Sequence, residues 1–283
     1  MLRIAIQSKG RLHDDTMSLL READIKVSEP KRTLLVRARN FPIETLFLRD
    51  DDIPATVADG VADAGVVGLN ELAEKGADVE IVRHLGFGAC RLSLALPKEE
   101  VYLGTHWFRG KKIATSYPSI LRHWLNKQGI EATIHVISGS VEISTGVGLA
   151  DAIFDIVSSG STLVTNNLRE VETVMQSDAV LVARKNLEPD KRAILDEMLF
   201  RFDAIQNAET KKYVLLNAPG DKVAEITALL PGVKSPTVMP LAESGWCSIH
   251  TVIDEDRFWE IIGKLKAAGA QGILVMDIEK LIV

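Results

Sequence analysis

The sequence has 283 residues, of which 46% are hydrophobic and 25% charged, as is typical of a globular protein with a sizeable core. The net charge is −6 and no run of lysine or arginine stands out, so we expect no general nucleic-acid binding. The two cysteines, Cys90 and Cys247, lie far apart, which argues against a disulfide framework or a cysteine-rich zinc site. Because no signal-like or membrane-spanning apolar run occurs, we expect a cytoplasmic protein without membrane partners.

The first predicted element is a buried strand, Leu2–Ile6, followed by the polar turn Gln7–Arg11 and an amphipathic helix. Lys9 and Arg11 in this turn are suitable hydrogen-bond donors for phosphate oxygens. The pattern therefore predicts an anion or nucleotide site, and the alternative is an exposed basic turn without a ligand.

Three acidic residues, Asp50–Asp52, follow the predicted strand Ile43–Leu48 and the single cation Arg49. They could form a metal cluster, but acids also stabilise the start of a helix, and we favour that capping role. Arg49, at the end of a strand, is the better functional candidate. Another buried strand is predicted between glycines within Gly60–Gly68.

A second α/β unit begins after the segment Leu85–Ala89, where we expect the chain to cross between domains. Pro118 opens a predicted helix, and the next predicted strand is Ile130–Ile137. Glu142 follows that strand, at the position where open α/β sheets bind ligands; the alternative is an exposed turn acid. The strand Ala179–Ala183 is predicted to return to the first domain.

The most informative segment is a buried strand, Ala152–Val157, that carries Asp155 and runs into the small-residue loop Ser158–Thr162. A helix is predicted to begin after the loop, with Ser161 or Thr162 as its N-cap. Backbone N–H groups and hydroxyls at such a strand–loop–helix junction favour anion binding. An ordinary strand-to-helix turn is the alternative that the pattern alone leaves open.

The tail is predicted to have the element order βαββαβ of a small ferredoxin-like domain. Its predicted elements are, in order, Lys212–Leu216, Asp221–Leu230, Thr237–Leu241, Cys247–Ile253, Phe258–Ala268 and Gly272–Met276. A packing domain and a ligand-sensing module share this order, which does not separate the two.

The segment Asp155–Thr162 resembles the loop with which phosphoribosyltransferases bind 5-phosphoribosyl 1-diphosphate (PRPP). Ser159 replaces the usual threonine, and Phe154 stands where many members carry a first acid. Over its whole length the chain resembles the long form of ATP phosphoribosyltransferase, the first enzyme of histidine biosynthesis. Besides the loop, the matching segments are Gln7–Leu12, Arg49–Pro54, Asp59–Gly65, Cys90–Ala95, Ile113–Pro118 and Gly139–Glu142.

This resemblance implies an α/β fold, with a two-lobed catalytic core like that of periplasmic binding proteins and a C-terminal ferredoxin-like regulatory domain of the ACT type. Lobe I would comprise residues 1–88 and about 178–210, lobe II residues 89–177, and the regulatory domain residues 211–283. The implied reaction joins N1 of ATP to C1′ of PRPP, releases diphosphate and uses Mg²⁺. A homohexamer in exchange with dimers, feedback inhibition by histidine and no separate regulatory subunit are also implied.

The resemblance also implies site residues, which fall into four groups. The PRPP group consists of Asp151, Ala152, Asp155, Ser158, Ser159, Gly160, Ser161 and Thr162. The ATP group consists of Lys9, Gly10, Arg11, Arg49 and Asp63, and the catalytic group of Arg11, Arg49 and Glu142. The histidine group consists of Asn217, Thr237, Val252 and Gly272, while Asp151 and Asp155 would contact Mg²⁺ through substrate or water.

Two other functions remain open at this point. A two-lobed solute-binding protein would share the crossing strands but would release no diphosphate from PRPP. A phosphoribosyltransferase acting on a free base would share the loop but would use adenine rather than ATP as acceptor.

Overall fold

A computed structural model describes residues 1–29, 33–230 and 232–283. The elements up to the middle of the chain are β1 (Leu2–Gln7), α1 (Arg11–Glu22), β2 (Leu35–Arg37), β3 (Ile43–Leu48), α2 (Ile53–Ala58), β4 (Ala64–Gly68), α3 (Leu69–Lys75), β5 (Val79–His84), β6 (Cys90–Pro97), β7 (Lys112–Thr115) and α4 (Pro118–Gln128). The later ones are β8 (Thr133–Val136), β9 (Ala152–Val157), α5 (Ser161–Thr165), β10 (Leu168–Ser177), β11 (Ala179–Arg184), α6 (Pro189–Glu209), β12 (Lys211–Pro219), α7 (Val223–Leu229), β13 (Thr237–Pro240), β14 (Trp246–Asp254), α8 (Glu255–Ala267) and β15 (Gln271–Asp277).

The first sheet has six strands in the order β2-β3-β1-β4-β11-β5. Strand β1 runs parallel to both β3 and β4, whereas β11 runs antiparallel to β4 and β5. The carboxyl ends of three parallel strands, at Gln7, Leu48 and Gly68, therefore lie along one edge of this sheet. Ligands of open α/β sheets bind outside that edge.

The second sheet has five strands in the order β10-β6-β9-β7-β8. Strand β7 runs parallel to β8 and β9, and β6 is antiparallel to β9. The segments that follow Thr115, Val136 and Val157 consequently leave the same edge of the sheet. They include the predicted anion loop and Glu142.

Each of these sheets has its own apolar core. In the first, Ile53 and Val57 of α2 pack with Val67 and Val180 of the sheet. In the second, Phe108, Leu121 and Phe154 belong to one buried cluster.

Two segments connect the sheets side by side. The amide of Leu85 donates to the carbonyl of Ala179 at 2.9 Å, and the amide of Ala179 donates to the carbonyl of Phe87 at 2.9 Å. The chain thus leaves the first sheet after β5 and returns to it as β11, as the sequence predicts for Ala179–Ala183.

The residues group into two units, Met1–Leu195 and Asp196–Val283, with the division inside α6. The second unit contains a four-stranded antiparallel sheet in the order β13-β14-β12-β15. Helices α7 and α8 lie between its strands in sequence, which confirms the predicted ferredoxin-like order βαββαβ. No helix among the described residues is both long and apolar enough to cross a membrane.

The sheet of the second unit buries one face. Alternate residues of β12 and β14, such as Leu216 and Ile249, pack with Ile226, Phe258 and Leu265 of the two helices. The residues that point the other way form the open face of this sheet.

Candidate active site

The loop Ser158–Gly160 connects the end of β9 to the start of α5. Gly160 is the N-cap and has a φ of 81°, in the left-handed region that favours glycine. The structure therefore corrects the predicted cap, Ser161 or Thr162, because the backbone turn that starts the helix occurs one residue earlier. The hydroxyls of Ser159 and Ser161 lie 3.0 Å apart.

Two carbonyl oxygens of the loop and of α5 already accept hydrogen bonds from protein groups. The carbonyl of Gly160 accepts from the amide of Val164 at 3.2 Å, and that of Thr162 accepts from the side chain of Asn166 at 2.9 Å. By contrast, in the described part of the chain the amides of Ser159, Gly160 and Thr162 donate to no protein acceptor. The loop thus presents unused donors, which suits an anion.

These groups line a cavity of about 230 Å³. The structure brings together in its lining six of the predicted residues, Glu142, Asp155, Ser158, Ser159, Gly160 and Thr162. Glu142 lies in a single 3₁₀ turn, Val141–Ile143, that follows Ser140 in a left-handed conformation with φ 51°. Two carboxylates and the anion loop therefore share one small space.

Asp155 has a perturbed ionisation. Burial raises the pKa of its carboxyl to about 6, and the charge of Glu142 adds to the rise, while a 2.8 Å hydrogen bond from the amide of Ile156 opposes it. Neither Asp155 nor Glu142 forms an ion pair with a lysine or arginine among the described residues. Two neighbouring carboxylates without a counter-ion favour a cationic or hydroxyl-rich ligand.

Four predicted residues of the first sheet lie together at its carboxyl edge. Gln7 pairs with Leu48, so the turn with Lys9, Gly10 and Arg11 lies beside Arg49. Arg11 and Arg49 are both exposed, with the Nε of Arg49 3.1 Å from the Oδ1 of Asp51. This hydrogen bond raises the pKa of the Arg49 guanidinium.

The acidic run Asp50–Asp52 forms a 3₁₀ turn directly before α2. Asp52 occupies the N-cap position, although no side-chain cap bond forms. No cluster of three metal-ligating side chains occurs in residues 1–29, 33–230 and 232–283. The position before a helix thus agrees with the favoured capping interpretation, through charge rather than through a cap hydrogen bond.

The two carboxyl edges are joined by a contact that the sequence did not indicate. The hydroxyl of Tyr117 donates to Oε1 of Glu71 at 2.8 Å and accepts from Nδ2 of Asn70 at 3.2 Å. Burial raises the pKa of Tyr117, and the charges of Glu71 and Asp155 raise it further. The carboxyl edge of the first sheet, which carries Arg11, therefore contacts the carboxyl edge of the second sheet, which carries the loop.

Asp63 does not lie at these carboxyl edges. It precedes β4, at the amino end of the strand, where it accepts from the amide of Arg3 at 2.9 Å. Its buried carboxylate also pairs with Lys191 at 2.8 Å and with Arg184 at 3.4 Å. These contacts give Asp63 a structural role at the amino edge of the sheet. The other residues of the predicted ATP group lie at the opposite, carboxyl edge.

Asp151 and Ala152 also lie away from the loop, at the amino end of β9. Asp151 accepts from the amide of Lys112 at 2.7 Å, and Ala152 is fully buried. Four residue steps, about 13 Å of extended strand, separate Asp151 from Asp155, so the two carboxylates are too far apart to coordinate one Mg²⁺ directly, and contact through substrate or water stays a prediction. Asp155 with Glu142 is the pair that fits a cation carried by a substrate.

The predicted histidine group lies in the second unit, on the open face of its sheet. Register and strand alternation put Asn217, Thr237 and Val252 on that face. Gly272 has φ 55°, and a Cβ built there would lie 3.4 Å from Nδ2 of Asn217. The structure thus brings Asn217 and Gly272 side by side.

Comparison with known proteins decides the family. Residues 49–204 match the model of the family described as ATP phosphoribosyltransferase, and residues 208–280 match the one described as HisG, C-terminal domain. The chain belongs to the ATP phosphoribosyltransferase family. An ATP phosphoribosyltransferase of Bacteroides thetaiotaomicron is 67% identical over 283 residues, covering 100% of both chains.

Solved structures agree with this assignment. The ATP phosphoribosyltransferase HisG:HisZ complex from Thermotoga maritima contains a chain with a TM-score of 0.63 and 28% identity, covering 71% of this chain and 96% of that one. The substrate-binding protein of an amino acid ABC transporter has a TM-score of 0.50 and 9% identity, covering 74% of this chain and 94% of that one. The second likeness shows only the fold, the two-lobed architecture predicted for the catalytic core.

Proposed function

We propose that the protein is an ATP phosphoribosyltransferase that joins N1 of ATP to C1′ of PRPP, giving phosphoribosyl-ATP and diphosphate. The observation that carries the proposal is the cavity in which the loop Ser158–Thr162 meets Asp155 and Glu142. The family membership given above supports the same reaction. It is the first step of histidine biosynthesis.

In this proposal, the free amides of Ser159, Gly160 and Thr162 and the hydroxyls of the loop bind the 5′-phosphate of PRPP. Asp155 accepts hydrogen bonds from ribose hydroxyls, since a carboxyl with a pKa of about 6 is mostly ionised at pH 7. Lys9, Arg11 and Arg49 neutralise diphosphate or ATP phosphates from the facing edge.

The reaction forms the N1–C1′ bond while the bond from C1′ to the diphosphate oxygen breaks, and the electron pair leaves with diphosphate. Positive charge grows on the ribose ring, and the carboxylates of Glu142 and Asp155 stabilise it electrostatically. The donors of both edges hold the reactants in line, so positioning contributes much of the rate.

We further propose that Mg²⁺ enters with PRPP, near Asp155 and Glu142. The raised pKa of Asp155, which has no lysine or arginine partner among the residues that the structure describes, fits such a cation. When bound, Mg²⁺ supplies positive charge that neutralises the diphosphate oxygens.

For regulation, we propose that histidine binds on the open sheet face at Asn217, Thr237, Val252 and Gly272 and inhibits the enzyme. The adjacency of Asn217 and Gly272 supports a pocket there, because Gly272 leaves room beside the Asn217 amide. The match of residues 208–280 to the C-terminal domain family supports inhibition without a separate regulatory subunit.

The proposal extends to organisation. Lobe I would comprise residues 1–88 and about 178–210, lobe II residues 89–177, and the regulatory domain residues 211–283. The protein would form cytoplasmic homohexamers that exchange with dimers, and its small-molecule ligands would be ATP, PRPP and histidine.

The test is the absorbance of phosphoribosyl-ATP, followed with ATP, PRPP, Mg²⁺ and pyrophosphatase, with and without histidine. A rise that requires both substrates and is suppressed by histidine would support the reaction and its regulation. A rise that ignores histidine would remove only the regulatory part. No rise with folded protein would refute the enzyme.

A further inference from the structure

Arg91 lies beside the anion loop although it is 67 residues away from Ser158 in sequence. It is in β6, directly opposite Val157, the last residue of β9. Its Nη1 donates to the carbonyl oxygen of Ser158 at 3.1 Å. The first peptide of the loop is therefore held by a side chain from the neighbouring strand.

The guanidinium of Arg91 is itself fixed by Glu170 of β10. Nε donates to Oε1 and Nη2 donates to Oε2, each at 2.6 Å, which is a bidentate pair. Glu170 also accepts from the hydroxyl of Ser93 at 2.7 Å and from that of Thr173 at 3.3 Å. Because the bond from Arg91 lowers the pKa of Glu170, the pair stays charged at neutral pH.

The hydrogen bond from Arg91 to the Ser158 carbonyl also fixes the direction of the next N–H group, that of Ser159. The Ser158–Ser159 peptide is trans, as are all those in the described part of the chain, so the carbonyl of Ser158 and the amide of Ser159 point in opposite directions from one planar unit. Holding the Ser158 oxygen on Arg91 fixes the Ser159 N–H on the other side. That N–H has no acceptor among the described residues, and Ser159 lines the cavity.

We propose that Arg91, braced by Glu170, is a positioning residue that aims the Ser159 N–H at the 5′-phosphate of PRPP. The inference rests on the proposed function, since it assigns a role within the same PRPP site. Arg91 itself does not contact the substrate in this scheme. It acts by keeping one donor of the loop oriented before PRPP binds.

The test compares Arg91→Ala and Arg91→Lys with a matched control, Arg169→Ala. Arg169 is exposed on β10, next to Glu170, and donates from Nη2 to the carbonyl of Glu100 at 2.8 Å, away from the loop. The control removes an arginine and one side-chain-to-carbonyl hydrogen bond from the same strand pair. Thermal denaturation of each variant reports its folding.

We expect Arg91→Ala to raise the KM for PRPP about tenfold, the effect of one oriented hydrogen bond, with kcat and the KM for ATP changed less than about twofold. Arg91→Lys should give an intermediate KM, because one ammonium replaces the fork that reaches Glu170 and Ser158 together. Arg169→Ala should retain the wild-type constants. Glu170→Gln should raise the KM for PRPP less than Arg91→Ala does.

Equal rises of both KM values, or identical constants for Arg91→Ala and Arg169→Ala, would overturn the positioning role. The KM for PRPP of Gly160→Val shows whether only the role of Arg91 is wrong or also the assignment of the loop as the PRPP site. If Gly160→Val raises the KM for PRPP and Arg91→Ala does not, the inference alone is wrong. If neither variant changes it, the loop is not the PRPP site.

Discussion

Replacing Gly160 with valine perturbs the loop through its backbone conformation rather than through a clash. A Cβ built on Gly160 would lie 3.8 Å from Cγ1 of Val157, an ordinary van der Waals contact. The φ of 81°, however, lies in a region that costs an L-residue about 1–2 kcal/mol, and more for a β-branched one. Rotation out of this region would break the bond from the Val164 amide to the Gly160 carbonyl.

The size of the effect follows from this conformational energy. A strain of about 1–2 kcal/mol shifts the equilibrium between the binding-competent loop and its rotated conformations about 5- to 30-fold, so the binding-competent population falls by up to that factor. The KM for PRPP should rise by up to the same factor. The KM for ATP should stay within about twofold, because the ATP phosphates are assigned to the facing edge.

The assay measures initial rates with one substrate varied and the other saturating. The matched control is Gly129→Val, since Gly129 has φ 65° at the C-cap of α4 and nothing lies within 4 Å of an added Cβ. Both variants carry similar backbone strain, so both should lose similar thermal stability, and only Gly160→Val should change PRPP kinetics. Equal rises of the two KM values, or matching kinetics in both variants, would refute the reasoning.

Three further predictions concern single side chains. Because burial raises the pKa of Asp155 to about 6, the folded state binds more protons than the unfolded state and loses stability as the pH rises from about 4 to about 6. Asp155→Asn should remove this loss and raise the free energy of unfolding at pH 7 by up to about 3 kcal/mol. Equal free energies of unfolding for the two proteins in urea at pH 7 would contradict this prediction. Asp63→Asn should lower stability by about 3 kcal/mol through its lost pairs with Arg184 and Lys191, with the KM for ATP unchanged, whereas a raised KM at unchanged stability would restore a nucleotide role. Asn217→Ala should raise the histidine concentration for half-inhibition about tenfold, and an unchanged value would remove Asn217 from the effector pocket.

Local patterns were sufficient for the parts of the fold that local physics determines. Amphipathic spacing and turn residues predicted the tail order βαββαβ, because each of its elements buries one regular face. The strand–loop–helix at Asp155–Thr162 was likewise predicted from a local pattern, an apolar run followed by small residues. The N-cap, Gly160, lies one residue before the predicted one because glycine tolerates the left-handed conformation better than serine does.

The positions of several site residues depend on long-range topology, which periodicity does not report. Asp63 and Asp151 each precede a strand and so lie at its amino end, whereas Asp155 is near a carboxyl end. Family resemblance assigned these residues to ligand groups because they belong to matching segments, and such a match does not show at which end of a strand a residue lies. The roles of Tyr117 and Arg91 were missed because their partners, Glu71 and Ser158, are distant in sequence.

The return of β11 to the first sheet has a consequence for synthesis on the ribosome. Strand β5 lies at the sheet edge with β11 as its neighbour, so Val79–His84 stays unpaired until Ala179–Arg184 has been made. The 94 residues from Leu85 to Asp178 emerge in between, and closing a loop of that length costs entropy that opposes early pairing of the two strands. The first sheet therefore completes only after the second has been synthesised, and a ribosome stalled before Ala179 should display an open, aggregation-prone strand edge.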